Sequence, residues 1–313
     1  MYRYVIKRIL FLIPTILGVT FIIYAIMSIT PGDPGRAILG VNVPQADVDA
    51  YNKMLGYDLP FIQKYFNYVK NMIINQDFGV SYFTKQSVFD EILPRFMLTI
   101  KLALAGVALA ALIGVPLGID AAVNQYSLRD TIPSLLAFFI AAIPGFVLGM
   151  VMLYIFALKL NWLPSYGIGS VKNYIMPALA ISIPPAAQNM RFTKSSMLES
   201  IRQDYVRTAR AKGAPERTVI WKHALRNALL PVVTQIGMSL GMLIAGTVVI
   251  EKLFSLPGIG SLIVDRISFK DEPVIIAGTI LISVAFTAVM LIVDITYAYI
   301  DPRIRAKYTR TGR

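Results

Sequence analysis

Cysteine is absent from the 313 residues. Disulfides, thiolate metal sites and iron–sulfur clusters are therefore excluded from the outset. There is a single histidine, His223, so no multi-histidine metal centre can be assembled from this chain. No Gly-Lys pair occurs anywhere, which removes the G-x-x-x-x-G-K-[ST] loop that cradles nucleotide phosphates. Charge is scarce too: 15% of residues are Asp, Glu, Lys or Arg, against about 25% in a soluble domain.

What fills the space is apolar. Hydrophobic residues make up 56% of the chain and the mean hydropathy is +0.62. Six stretches are long and uncharged: Ile9–Ile29, Leu102–Ile119, Ile132–Leu158, Asn173–Met190, Asn227–Ile250 and Pro273–Val293. A bilayer core of roughly 30 Å asks for about 20 such residues in a helix. Helices buried in a large soluble protein would show polar faces at a 3.6-residue period, and these do not. The fold class expected is an all-α integral membrane protein with six transmembrane helices. The first apolar run follows Arg3, Lys7 and Arg8, as in a signal peptide. It exceeds the 7–15 residues of a cleavable core, and no small-residue cleavage site follows, so it reads as an uncleaved anchor.

Orientation follows from the basic residues. With the N-terminus inside, inner segments 1–8, 122–131, 191–227 and 301–313 hold 18 Lys and Arg in 68 residues. The outer segments 30–101, 159–172 and 251–272 hold 12 in 108. The inner density is more than twice the outer, which predicts cytoplasmic N- and C-termini. The formal net charge of +12 is then mainly a topology signal, with anionic lipid as the partner it suits and no role for nucleic acid.

Between the runs lie local signals. Thr30-Pro31-Gly32-Asp33-Pro34 stops the first helix. In the outer segment that follows, Phe61, Tyr65, Phe66, Tyr68 and Val69 fall near helical spacing, predicting a short amphipathic helix that either caps the membrane helices or docks an external partner. The fourth run holds Pro177, Pro184 and Pro185, whose freed carbonyls must face a cavity or a neighbouring helix; Gln188 and Asn189 near its inner end are candidates for lining a pathway. In the fifth run Gly237 and Gly241 form a G-x-x-x-G pair suited to close helix contact; both, with Ser239 between them, are also pathway candidates. Pro257 and Gly258 match a type II turn, followed by a short helix capped by Ser261, a candidate outer gate. Asp120 and Asp294 sit near the inner ends of their runs. Paired aspartates in a membrane could activate water, but each has polar sequence nearby and reads as structural.

The most basic stretch is RTARAKGAPER at 207–217. Ser196 and Glu199 have the form of a capping box that would start a helix. Leu198, Ile201, Tyr205 and Thr208/Ala209 then share a face, Gly213 fits just past a helix end, and Pro215 fits the first turn of the next helix. A helix–bend–helix results, suited to a groove on another protein or to a lipid surface.

The stretch RTARAKGAPERTVIWKHALRNALLP resembles the coupling loop of ABC-importer permeases of the peptide and nickel branch. The likeness extends over essentially the whole chain, through YVIKRILFLIPTILGVTFIIYAIMSITPGDP, LPRFMLTIKLALAG, FSLPGIGSLIVD and DITYAYIDPRIR; it resembles the B-type permease of dipeptide and oligopeptide importers. The general importer motif begins Glu-Ala-Ala and contains Asp-Gly, where this chain has Arg207-Thr208-Ala209 and Lys212-Gly213. The resemblance implies a type I importer permease fold, divided into 1–94, a permease core 95–300 with the coupling loop at 191–227, and a basic tail 301–313. It implies ATPase coupling through Arg207, Ala209, Arg210, Lys212, Gly213, Ala214, Pro215 and Glu216. The partners implied are a second homologous permease, two ATP-binding subunits and an external substrate-binding protein. No cofactor, metal or catalytic residue is expected. The cargo implied is di- or oligopeptide, with metal chelate, glutathione and short saccharides as alternatives. An ion-coupled carrier would instead need ionisable groups at mid-span and internal repeats, and neither is evident.

Overall fold

The computed structural model describes residues 2–30 and 33–300, excepting the side chains of 2–5, 7–9, 12, 294 and 297–300. The basic tail 301–313, Pro31-Gly32 and the Asp294 side chain lie outside the described residues. Those described are overwhelmingly helical; the only strand-like pairing among them is one bridge between Val80 and Ser87. They form two compact units. One gathers 100–256 with the stretch that starts at Ala288; the other gathers Tyr2–Thr99 with Pro257–Thr287.

Long apolar helices dominate. Three described helical stretches are long and apolar enough to cross a membrane: Val88–Val123, Glu216–Gly246 and Glu272–Val293. The third apolar run, expected as one span, is two helices, α6 (Leu128–Ala142) and α7 (Gly145–Met152, continued by a π-helical turn to Lys159), bent by 98°. Pro144 causes the break: its ring disfavours helical geometry at the preceding residue, and Ile143 is extended at φ −91°, ψ 121°. The first helix, α1 (Tyr2–Ile29), qualifies only as a shorter apolar helix over Ile13–Ile29.

In the first unit, α8 (Lys172–Ile201) is the helix the others pack on, contacted by α6, α7 and α11 (Leu225–Gly246). It runs unbroken through Pro177, Pro184 and Pro185. Pro184 cannot donate to the Ala180 carbonyl four residues back. That carbonyl faces Gly145 at the start of α7, where an added Cβ would come within 2.9 Å of it, so a neighbouring helix receives the exposed dipole as expected. Across α8, α5 (Val88–Val123) presents Gly114 and Gly118. A Cβ there would lie 2.4 Å from the Ala186 carbonyl oxygen and 2.5 Å from that of Met190. Only bare backbone permits this approach. Lys194 of α8 pairs with buried Asp130 of α6 and donates to Ser134 Oγ at 3.0 Å; Asp130 also accepts from Tyr126 N and Ser134 Oγ, each at 3.0 Å.

In the second unit, α4 (Phe61–Lys70) packs on α1 by edge-on aromatic contacts of Phe21 with Phe61 and Tyr65, and of Tyr24 with Tyr65. Tyr65 donates to the Leu17 carbonyl at 3.1 Å. Phe66, grouped with the inner face on spacing, points outward and is exposed. The expected type II turn at 257–258 is not formed: Gly258 is extended at φ −87°, ψ 172°, and is the N-cap of α13 (Ile259–Ser268). The left-handed residue is Ser255, at φ 51°. Ser261 lies inside α13, donating to the Gly258 carbonyl at 2.9 Å instead of capping. Beyond α13, buried Asp271 accepts from Ser81 Oγ and from Tyr82 N at 2.9 Å, while Arg266 pairs with Glu91. Buried charges of this kind are tolerable only when paired.

Candidate functional site

The basic stretch folds as a compact elbow. α8 ends at Ile201, Arg202 and Gln203 break the helix, and α9 (Asp204–Ala211) starts afresh after an extended Gln203. Ser196 therefore does not cap a helix; within α8 its hydroxyl donates to the Ala228 carbonyl at 2.8 Å. The break also resets the helical phase. On one continuous helix Tyr205 would follow Leu198 and Ile201 inward, whereas Val206 and Ala209 are the buried pair in α9 and Tyr205 is exposed. Its hydroxyl meets Ser200 Oγ at 2.7 Å, tying the two helices across the break.

The turn itself follows its residues. Gly213 is left-handed at φ 76°, with nothing within 4 Å of an added Cβ, as a helix-ending glycine requires. Pro215 stands one position earlier than expected, as the N-cap of the single turn α10 (Glu216–Thr218), which a π-helical turn at Val219–Ala224 joins to α11. Arg210 clasps Glu216 through two hydrogen bonds, Nε to Oε2 at 3.1 Å and Nη2 to Oε1 at 2.6 Å. The paired hydrogen bond from Arg210 holds the Glu216 carboxyl below its ordinary range, and the Arg210 guanidinium is correspondingly raised. Both groups are solvent-exposed, so the clasp fixes geometry more than it adds stability.

The elbow has two chemically distinct sides. Inward, Val206, Ala209, Val219, Ile220 and Ala224 join Ile119, Ala122, Met197, Leu225 and Ala228 in one buried cluster, with Ala214 packed against it. Outward, Arg207, Arg210, Lys212, Glu216, Arg217 and Trp221 are exposed. Of the residues expected to couple, Ala209 and Ala214 thus support the elbow from beneath, and Arg207, Arg210, Lys212, Gly213, Pro215 and Glu216 form its surface.

The pathway candidates separate. Gln188 is exposed in a concavity of about 380 Å³, with Arg191, Phe192 and Ser195 on the same face of α8 and Gln235 of α11 opposite. Asn189 faces the other way, fully buried against Gly114 of α5, with neither amide atom hydrogen-bonded within the described residues. Gly237 packs on Val293, which would overlap an added Cβ at 2.0 Å, so this glycine serves helix contact. Ser239 is buried and donates to its own helix at the Gln235 carbonyl, 3.0 Å away; Gly241 is buried too. Pro257 and Gly258 lead into α13, where the Ile259 amide donates to Thr99 Oγ1 at 3.0 Å. Asp120 is exposed and accepts from Asn124 Nδ2 at 2.9 Å. Arg191 and the glycine stripe of α5 were missed at the sequence level; the four-residue spacing of Gly114 and Gly118 was the available signal.

Two family models match the chain. Residues 114–306 match the binding-protein-dependent transport system inner membrane component, and residues 1–103 match the N-terminal part of such a membrane component. The glutathione transport system permease protein GsiC of Escherichia coli (strain K12) is 40% identical over 307 residues, covering 98% of this chain and 100% of the relative. Its counterpart in Shigella boydii serotype 4 (strain Sb227) is 39% identical over the same extent. Among solved structures, an amino acid ABC transporter crystallised with histidines is similar in fold, with a TM-score of 0.53 and 13% identity over 66% of this chain and 94% of that one.

Proposed function

This chain belongs to the family of binding-protein-dependent transport system inner membrane components and is a multi-pass inner-membrane protein; on that premise we propose that it forms one half of the translocation pathway of an ATP-driven importer. In this reading six helices cross the membrane with both termini in the cytoplasm, the division 1–94, 95–300 and 301–313 holds, and a second permease supplies the other half. Hydrolysis belongs to separate ATPase subunits, so the chain is not itself an enzyme.

The observation that carries the proposal is the two-sided elbow at 204–224. A basic outer surface on a base packed into the helix core is what a rigid coupling element needs. ATP binding would draw two ATPases together, the docked elbow would move with its groove, and the helices would swing between inward- and outward-facing states as bodies. Gln188 would line the route, and Pro257 and Gly258 would belong to an outer gate.

For cargo we propose short peptides handed over by an external binding protein. The relatives named as glutathione permeases favour glutathione, itself a tripeptide, as the first to try. The test is co-expression with partner permease and ATPases. Copurification of one stable complex is expected, and the triple charge reversal Arg207→Glu, Lys212→Glu, Arg217→Glu should lose the ATPases while keeping the permease partner. Deleting the elbow would be uninformative, because Val206, Ala209, Val219 and Ile220 would leave the core with it. ATPases retained at full occupancy by the triple variant would overturn the coupling role.

A further inference from the structure

The second unit contains a cavity of about 470 Å³ that neither the coupling elbow nor the proposed pathway uses. Its size falls within the range of small-molecule pockets, roughly 300–1,000 Å³. Tyr24, Tyr57, Tyr68 and Tyr82 line it, and its charged groups are Lys64, Lys85 and Glu272.

Glu272 is the informative residue. It is 3% exposed, yet no hydrogen bond to its carboxylate is seen among the described residues; Lys64 Nζ lies 3.9 Å away, and the buried Lys270 also acts on it electrostatically. Lys64 also sits 4.0 Å from the centre of the Tyr57 ring, so it is held loosely between an acid and an aromatic face. Tyr68 lines the same cavity, and its buried hydroxyl has no partner among the described residues. A deep carboxylate, an unpaired hydroxyl and aromatic walls make a receptacle for an ammonium group. Lys85 is exposed and, with Lys64, brings two positive charges to the lining against the one negative, and buried Lys270 beside Tyr57 adds a third acting on Glu272. A purely cationic guest is disfavoured by that excess, and a guest that also carries an anionic group is favoured.

We infer that this cavity is a binding site for a small zwitterion with a free α-amino group and a free carboxylate, an amino acid or short peptide. The amine would reach Glu272 and Tyr68, and the carboxylate would reach Lys64 and Lys85. The inference rests on the cavity's own chemistry and stands apart from the cargo reading. A phospholipid headgroup such as phosphoethanolamine shares the pairing of ammonium and anion, so it is the competing source.

The experiment uses the assembled transporter in nanodiscs without its binding protein, titrated calorimetrically with the dipeptide alanylphenylalanine. Saturable binding is expected, weakened about tenfold or more by N-acetylation or C-amidation of the dipeptide, and likewise by Glu272→Gln. Because Glu272 is buried, Lys85→Gln on the exposed rim is the second variant, with the same loss expected in a complex of unchanged melting temperature. No saturable heat with the dipeptide would overturn the site, as would equal binding of the blocked peptides, variants that bind like the wild type, or preferential binding of phosphoethanolamine.

Discussion

Replacing Gly118 by alanine puts one methyl group where the structure has none to spare. The added Cβ would sit 2.5 Å from the Met190 carbonyl oxygen and 2.7 Å from Thr193 Cβ. The obstructing oxygen belongs to the backbone of α8, so no rotamer change relieves the overlap and the two helices must separate. Overpacking of this kind costs about 1–3 kcal/mol. Helix propensity works the other way by roughly 1 kcal/mol, so a net loss of about 0–2 kcal/mol is expected for Gly118→Ala. Gly118→Val adds bulk without that gain and should lose more. Gly114→Ala should behave like Gly118→Ala, its Cβ meeting the Ala186 carbonyl oxygen at 2.4 Å. The double variant should lose less than the sum, because one parting of α5 and α8 relieves both overlaps. Gly246→Ala is the control, since an added Cβ there meets nothing within 4 Å. Melting of the detergent-solubilised chain, followed by loss of the monodisperse peak, reads all five. Gly118→Val as stable as the Gly246→Ala control would refute the close approach of α5 and α8.

Lys194→Met should destabilise the chain by about 1–3 kcal/mol, because the buried Asp130 carboxylate loses its cation and keeps only the hydrogen bonds from Tyr126 N and Ser134 Oγ; adding Asp130→Asn should recover much of that, which a double-mutant cycle on melting temperature measures. At the elbow, Glu216→Gln should change stability by less than about 1 kcal/mol but hasten tryptic cleavage after Lys212, since the clasp on Arg210 is gone. The pH dependence of the wild-type clasp has a definite sign. The Glu216 carboxyl is depressed in the folded chain, so the clasp contributes fully above the ordinary glutamate range. It is lost as pH falls through the lowered value; cleavage after Lys212 that slows on acidification, once trypsin's own pH response is divided out, would contradict this.

Of the six apolar runs, the three that become helices long and apolar enough to cross a membrane were legible because length and lack of charge are properties of the chain itself. The elbow's turn was legible for a similar reason: Gly213 and Pro215 act through their own backbones. Its inner face was not. The break at Arg202-Gln203 carries no glycine or proline, so spacing counted through it and set Tyr205 where Val206 belongs. At Ile143 the opposite happened: Pro144 was visible, but apolar sequence on both sides masked the 98° bend. Gln188 and Asn189 show a third limit. Neighbours on a helix point about 100° apart, and only the α5 glycines decide which of the two is buried. Gly258 was misread because proline followed by glycine satisfies a turn and a helix N-cap equally well.

The elbow's seat has a mechanical corollary. Val206, Ala209, Val219 and Ile220 bear on Ile119 of α5, Met197 of α8 and Ala228 of α11 within a single cluster. A load on the basic surface is therefore not absorbed by flexing one hairpin; it is divided at once among three long rods. In the coupling role proposed above, a stroke delivered there from outside the lipid would arrive as travel of the whole group instead of local give.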